Sequence, residues 1–382
     1  MNRAAFARML KVDDLCTRMG KIDKIVGMTV EATGPTSNIG DVCKIGLSDG
    51  REVTAEVVGF KENKVLLMPY EDTEGIGFGS TVVNTGQKLS INVCDEMIGR
   101  TIDALGRPID GGGPIPDHGI RYSVVGEPSN PMERPRIDTP IQMGVKAIDG
   151  FLTIGKGQRM GIFAGSGVGK STLMGMLARN VKADVNVIAL VGERGREVVE
   201  FLERDLGEEG KARSVVVCAT SDQPAMLRNK CAMSATAVAE YFRDQGKDVL
   251  LMMDSVTRFC MAQRDIGLAI GEPPVARGYT PSIYSALPKL LERSGNFNKG
   301  SITGIYTVLV EGDDMNEPIA DTVRSIIDGH VMLNRKIAQK NHFPAIDVLA
   351  SISRLMSDIA SPELKAAAGR MRNLMAVHDA NA

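Results

Sequence analysis

Ala164-Gly165-Ser166-Gly167-Val168-Gly169-Lys170-Ser171 is the stretch that decides how this sequence is read. It matches the phosphate-loop pattern with Ala in place of the first Gly. Glycines at alternate positions let successive backbone N–H groups turn inward toward a polyphosphate, and a following helix adds the favourable end of its dipole. The flanks supply that context: Met160–Phe163 reads as an apolar strand and Thr172–Asn180 as a helical run. In such a loop Gly165, Ser166, Gly167, Val168, Gly169 and Thr172 contribute to the phosphate cradle, Lys170 reaches the β- and γ-phosphates, and Ser171 offers its hydroxyl to Mg2+. The loop predicts nucleotide binding. Alone it does not distinguish an ATPase from a kinase or a GTPase.

Around the loop, from about residue 140 to 350, apolar strand-like runs alternate with helix-like stretches. Arg159–Phe163, Val185–Val191, Ser214–Cys218 and Asp248–Met253 read as strands, with further candidates at Ile302–Val310 and His330–Leu333. Near-continuous apolar strands separated by amphipathic helices predict an α/β domain with a mainly parallel sheet covered on both faces. Two carboxylates follow such strands. Asp254 can hold the shell of a Mg2+ ion beside the phosphate loop, or cap the next helix. Glu193 can polarise an attacking water, or be a surface Glu beside Arg194 and Arg196.

The chain ahead of this domain has another rhythm. Residues 21–95 hold short β-rich segments separated by turns such as Ser48-Asp49-Gly50 and Lys61-Glu62-Asn63, which predicts a small β-barrel. Residues 1–20 read as a short helix, with Phe6, Met9, Leu10, Leu15, Cys16 and Met19 roughly on one face. It either packs on its own domain or docks a partner protein. Residues 106–140, rich in Gly and Pro, read as a long connection between the barrel and the next domain. Near the other end, Ser361-Pro362-Glu363 has the residues that start a helix.

Composition narrows the function. A net charge of −2 gives no global positive field for nucleic acid or anionic lipid. The six cysteines have no C-x-x-C spacing, and the four histidines form no metal-binding pattern. No apolar run is long enough to span a membrane, and the N-terminus lacks the apolar region of a signal peptide. These features fit a reducing cytoplasmic setting.

A series of motifs in order carries more information than any one of them. Ala164–Ser171 is followed by Val191-Gly192-Glu193-Arg194, by Leu251-Met252-Met253-Asp254-Ser255, and by Gly271-Glu272-Pro273-Pro274 with Arg277-Gly278-Tyr279. Pro288-Lys289-Leu290-Leu291-Glu292-Arg293 and Ser325-Ile326-Ile327-Asp328-Gly329-His330 complete it. The series resembles the hexameric rotary-type ATPases, the family of the F-type ATP synthase catalytic subunit. Within them it is most similar to the flagellar protein-export ATPases and their type III secretion relatives, on the phosphate loop, Gly99-Arg100 with Asp103–Pro108, Gly278–Ser282, and Phe343–Asp347 through Ser351–Arg354.

The resemblance implies an N-terminal β-barrel over 21–95, a central RecA-like P-loop ATPase domain over 96–355, and the start of a C-terminal helical domain over 356–382. It implies that Glu193 positions the water, that Arg194 lies near the γ-phosphate, and that Phe343 stacks on adenine. Arg354 would reach the γ-phosphate of the neighbouring subunit in a homo-hexamer. It further implies ATP and Mg2+, a stalk or regulator protein at helix 1–20, export-gate membrane proteins, chaperones and export substrates, and a place at the inner face of the cell membrane. Family members carry a larger helical domain after Arg354; about 28 residues follow it here, so either the chain is truncated or the helical domain is incomplete in this sequence.

Three other functions compete with protein export. A rotary ATP synthase subunit shares the motifs. A hexameric RNA translocase would need stacking aromatics and basic residues on the barrel, and residues 21–95 offer only Phe60, Tyr70 and Phe78. No specific nucleic acid is therefore expected. A non-catalytic nucleotide-binding subunit would lack the Glu193 carboxylate.

Overall fold

Alternation of buried and exposed residues closes six short strands into a barrel. They are β1 (Met19–Val26), β2 (Thr29–Thr33), β3 (Asp41–Gly46), β4 (Glu52–Lys61), β5 (Lys64–Pro69) and β6 (Thr81–Lys88). Their order is β1-β2-β5-β4-β3-β6, all antiparallel, and β6 returns to pair with β1. Cys43 and Ile45 of β3 point inward with Ile22, Val30, Ala55, Val57, Leu67 and Val82. The computed structural model describes residues 18–310 and 314–381. Contacts divide it into one unit that ends at Leu89 and also takes Asp265–Glu272, and a second made of Ser90–Arg264 and Pro273 onward.

The barrel corrects the expected helix 1–20 at its end. Met19 pairs with Val83, and Gly20 is also in β1. A side chain at Gly20 would bring a Cβ within 2.3 Å of the Gly34 carbonyl carbon, so only glycine lets the two segments approach. The rest of that helix, residues 1–17, lies outside the described residues.

The second unit is built on one central sheet. Ahead of it lie β7 (Ser90–Val93) paired with β9 (Ile120–Ser123), and β10 (Pro140–Ile141) paired with β11 (Ile154–Gly155). The sheet strands are β8 (Thr101–Ile102), β12 (Arg159–Ala164), β13 (Val185–Glu193), β14 (Ser214–Thr220), β15 (Asp248–Asp254), β16 (Gly295–Asn296), β17 (Ser301–Leu309), β18 (Gly329–Leu333) and β19 (Ile346–Ser353). Their order is β19-β18-β12-β17-β15-β13-β14-β8, with β16 beside β17. Pairing is parallel except where β16 meets β17 and β18 meets β19. The central strands are buried along almost their whole length, as covered parallel strands must be.

The stretch 106–140 is not a link from barrel to sheet. β8 has already joined the central sheet beside β14 before the Gly- and Pro-rich residues begin. That stretch runs within the second unit, where β9 and a short helical turn at Pro131–Glu133 interrupt it. The helix expected at Ser361 does form, over Pro362–Asn381, and the Ser361 hydroxyl accepts the Leu364 N–H at 3.2 Å.

Buried charge ties distant segments of this unit together. Arg293 is almost fully buried and donates from Nε and Nη2 to Glu240 at 2.9 and 2.7 Å, and from Nη1 to the Val124 carbonyl at 2.9 Å. This joins the helix Ala225–Asp244, the residues after the helix Pro281–Leu291, and the irregular stretch. Replacing Glu240 by Ala leaves a buried cation without its counter-ion. We expect a loss of about 3–5 kcal/mol in urea unfolding, and recovery of most of it when Arg293 is also changed to Met.

Candidate active site

β12 delivers the chain to the phosphate loop, and the helix Lys170–Asn180 carries it away. Gly167 and Gly169 have φ of +76° and +88°, a region where L side chains are strained. Gly169 is also the helix N-cap, so the turn that aims the amides toward a phosphate depends on it. Val168 sends its side chain into the hydrophobic core and leaves only its backbone to the loop. Gly165, Ser166, Gly167, Gly169, Lys170, Ser171 and Thr172 all line one cavity of about 810 Å3.

The parallel ladder brings Glu193 into the wall of that cavity and sets Asp254 just behind it, bonded to Lys170. Leu190 of β13 stands opposite Asp254 of β15, so Glu193 and Asp254 emerge at the same end of neighbouring strands. Lys170 Nζ donates to Asp254 Oδ1 and lies 3.5 Å from Glu193 Oε1. Thr307 on β17 donates to the same Asp254 oxygen at 2.7 Å. Burial works to lower the Lys170 pKa, but the adjacent Asp254 and Glu193 charges more than offset it, so Lys170 is held protonated. Glu193 moves the other way. Burial, then the Asp254 charge, push it up to about 7, against the pull of Lys170. Its Oε1 is buried without a hydrogen bond.

Arg194 lines the cavity and bonds Glu197 at 3.1 Å. Phe343 is more than half exposed, and its ring would lie 3.5 Å from a Cβ placed on Gly169, so an aromatic face stands beside the loop. Arg354 is elsewhere. Its N–H donates to the Asp328 carbonyl at 3.0 Å, and the Asp328 N–H donates to Arg159, the first residue of β12. The phosphate loop begins at the other end of that six-residue strand, about 17 Å away. Arg354 therefore does not line the cavity of its own chain.

Two residues escaped the sequence reading. Arg258 lines the cavity from the first turn of the helix Val256–Ala269, four residues after Asp254. Its stem lies over Gly192, where a Cβ would meet Arg258 Cβ at 3.2 Å, and its Nε is buried without a hydrogen bond. The spacing from Asp254 was a usable signal, since the residues just after a strand-end carboxylate in this fold face the same cavity. Thr307 sits in an apolar strand and gave no such signal.

The donor set fits a Mg2+ ion that takes most of its ligands from phosphate and water. Ser171 and Asp254 provide hard oxygens, and Asp254 Oδ2 makes no hydrogen bond to any described residue. Among the described residues no group of three or more His, Cys, Asp or Glu could hold a metal alone.

Comparison with known proteins agrees with this geometry. The nucleotide-binding domain of the ATP synthase alpha/beta family matches residues 144–353, and the beta-barrel domain of the same family matches residues 22–86. The chain is 55% identical to the flagellum-specific ATP synthase of Bacillus subtilis (strain 168), over 97% of this chain and 84% of that protein. It is 51% identical to the type 3 secretion system ATPase of Xanthomonas euvesicatoria, over 95% of this chain and 82% of that protein. The solved structure of the assembled ATPase EscN from the enteropathogenic E. coli type III secretion system superposes with a TM-score of 0.89 at 49% identity, covering 94% of this chain and 86% of that one. EscN has also been solved in complex with its central stalk EscO, and that structure superposes with a TM-score of 0.87 at 48% identity, with the same coverage of each chain.

The raised Glu193 pKa has a stability consequence of definite sign. Unfolded, this carboxyl ionises near its ordinary value of 4.5; folded, it holds its proton to about 7. Its ionisation therefore opposes folding, not at all below pH 4.5, progressively above it, and fully above about 7. Glu193→Gln should raise unfolding stability by about 1–3 kcal/mol at pH 8, with the gain fading as pH falls from 7 to 4.5. Urea titrations at pH 8 and pH 5 measure the difference, and an equal gain at both would contradict it.

Proposed function

The chain belongs to the ATP synthase alpha/beta family, among its flagellum-specific and type III secretion ATPases, and it hydrolyses ATP; on that premise we propose that it works as a homo-hexameric ring that drives protein export. The observation that carries the catalytic assignment is the placement of Lys170 between Asp254 and Glu193, whose Oε1 is buried in the wall of the phosphate cavity without a hydrogen bond, 3.5 Å from the Lys170 ammonium.

The residues divide the work as follows. The amides of the phosphate loop and the end of its helix hold the β- and γ-phosphates. Lys170 shifts from the two carboxylates to the phosphate oxygens, whose charge outweighs theirs. Ser171 and Asp254 would hold Mg2+, which would screen the charge that builds on the γ-phosphate. Release from Lys170 leaves Glu193 free to orient a water and accept its proton, and its pKa near 7 suits that task at neutral pH. Arg194 and Arg258 place further positive charge at the cavity wall. Phe343 stacks on the adenine.

Arg354 completes the site of the neighbouring subunit. The length of β12 keeps it from its own phosphate loop, and the strand that precedes it, β19, is at the sheet edge, where another chain can approach. An arginine supplied in this way is worth ~10³–10⁵ in rate. Hydrolysis in the ring would release and unfold export substrates delivered by chaperones at an export gate in the membrane. Attachment there would be peripheral, at the inner face of the membrane; among the described residues no helix is long and apolar enough to cross one. The assembled form of EscN and its complex with the stalk EscO support a ring and a stalk partner for this chain.

The shared site is tested by mixing two variants that are each inactive alone. Lys170→Ala supplies an intact arginine and Arg354→Ala an intact loop. Phosphate release should recover in part when they are mixed, because some interfaces combine the two intact halves. A flat baseline at every mixing ratio would remove Arg354 from the shared site.

A further inference from the structure

A second cavity, of about 240 Å3, lies around Arg354 and is lined by Asp321, Arg324, Ser325, His330, Ile352 and Arg354. Secondary structure explains why these side chains meet. The helix Pro318–Ile326 buries Ile319, Ala320 and Val323 and turns Asp321, Arg324 and Ser325 to another face, at the i, i+3, i+4 spacing of neighbours. Ile352 and Arg354 are two residues apart at the end of the edge strand β19, and His330 of β18 stands directly opposite Ile352. The cavity is thus a cleft between a polar helix face and the edge of the sheet.

Its chemistry suits an anion. Arg354 Nη2 donates to the carbonyl oxygen of Arg324 at 3.3 Å, so the two arginines are anchored to each other through backbone. The Arg324 guanidinium is held by Asp321 at 2.7 Å. A guanidinium has five N–H donors, and this single bond leaves most of them for another acceptor while fixing where the group points. His330 adds no charge at neutral pH. Burial lowers its pKa, the two arginines lower it further, and its Nε2–H is directed to the Ala350 carbonyl at 3.1 Å. Two guanidinium groups therefore face the cleft against one carboxylate. Among the described residues no anionic group other than Asp321 lines it.

We propose that Arg324 is a second cation delivered together with Arg354 to the γ-phosphate bound by the neighbouring subunit. This rests on the reading of Arg354 as acting in trans. Arg354 meets the developing charge, and Arg324 contributes a further charge-assisted hydrogen bond. Asp321 is a positioning residue that keeps the Arg324 fork aimed at the cleft.

The mixing experiment separates this role from a structural one, because Arg324 can be removed from either partner. In the parent mixture of Lys170→Ala with Arg354→Ala, activity recovers. Adding Arg324→Ala to the Lys170→Ala subunit, which donates the arginines, should lower the recovered kcat about tenfold, the scale of one hydrogen bond to a charged group. Adding it instead to the Arg354→Ala subunit, which donates only the loop, should leave the recovery as in the parent mixture. Equal recovery in the two orders overturns the role of Arg324 while leaving that of Arg354 intact. No recovery in the parent mixture overturns both.

Discussion

The site depends on one constraint, the parallel register that sets Leu190 of β13 opposite Asp254 of β15 while β17 bridges β15 to β12. Because all four strands run the same way, everything that leaves their carboxyl ends converges on one cavity. Lys170, Glu193 and Asp254 are far apart in sequence and meet only at that end of the sheet, joined by Arg258 from the helix that follows Asp254. The bond from Thr307 to Asp254 adds a side-chain link between β17 and β15 at the same edge.

That convergence stores an electrostatic cost. A half-buried Glu193 stands beside the buried Asp254 with Lys170 paired to both, and Glu193 holds its proton well above the ordinary carboxylate range. A fold selected for stability alone would not place a poorly bonded carboxylate in a cavity wall. The same features that oppose folding make Glu193 suited to accept a proton near neutral pH. Structural charge is handled differently elsewhere in this unit: the Arg293–Glu240 pair is satisfied by two hydrogen bonds and a backbone carbonyl.

The sheet also keeps the nucleotide cavity and the arginine cleft at opposite ends. The nucleotide cavity is at the carboxyl end of β12, whereas Arg354 and Arg324 gather near its amino end, beside the edge strand β19. A strand only six residues long is still too long for an arginine side chain to span. A site that needs both halves must then draw them from two chains, so the length of β12 and the position of β19 favour catalysis in an assembly.

By itself the sequence determined the class of fold and the nucleotide-binding loop. The signals were local: glycine spacing between a strand and a helix at 164–171, continuous apolar runs for the sheet, and Ser361-Pro362 for the last helix. It fell short wherever partners are distant in sequence. Gly20 and Met19 belong to a strand because of the close approach of Gly34 and the pairing with Val83, which no periodicity within residues 1–20 contains. The Gly- and Pro-rich stretch lies inside the second unit because β8 pairs with β14, more than a hundred residues later. Glu193 and Asp254 could be suspected from strand ends, but their shared contact with Lys170, and the raised pKa that follows, arise only from tertiary packing. Arg324 lies just outside the motif at 325–330, and only the helix face and the edge strand set it beside Arg354. Local backbone preference is written in neighbouring residues; burial and charge depend on what the fold brings near.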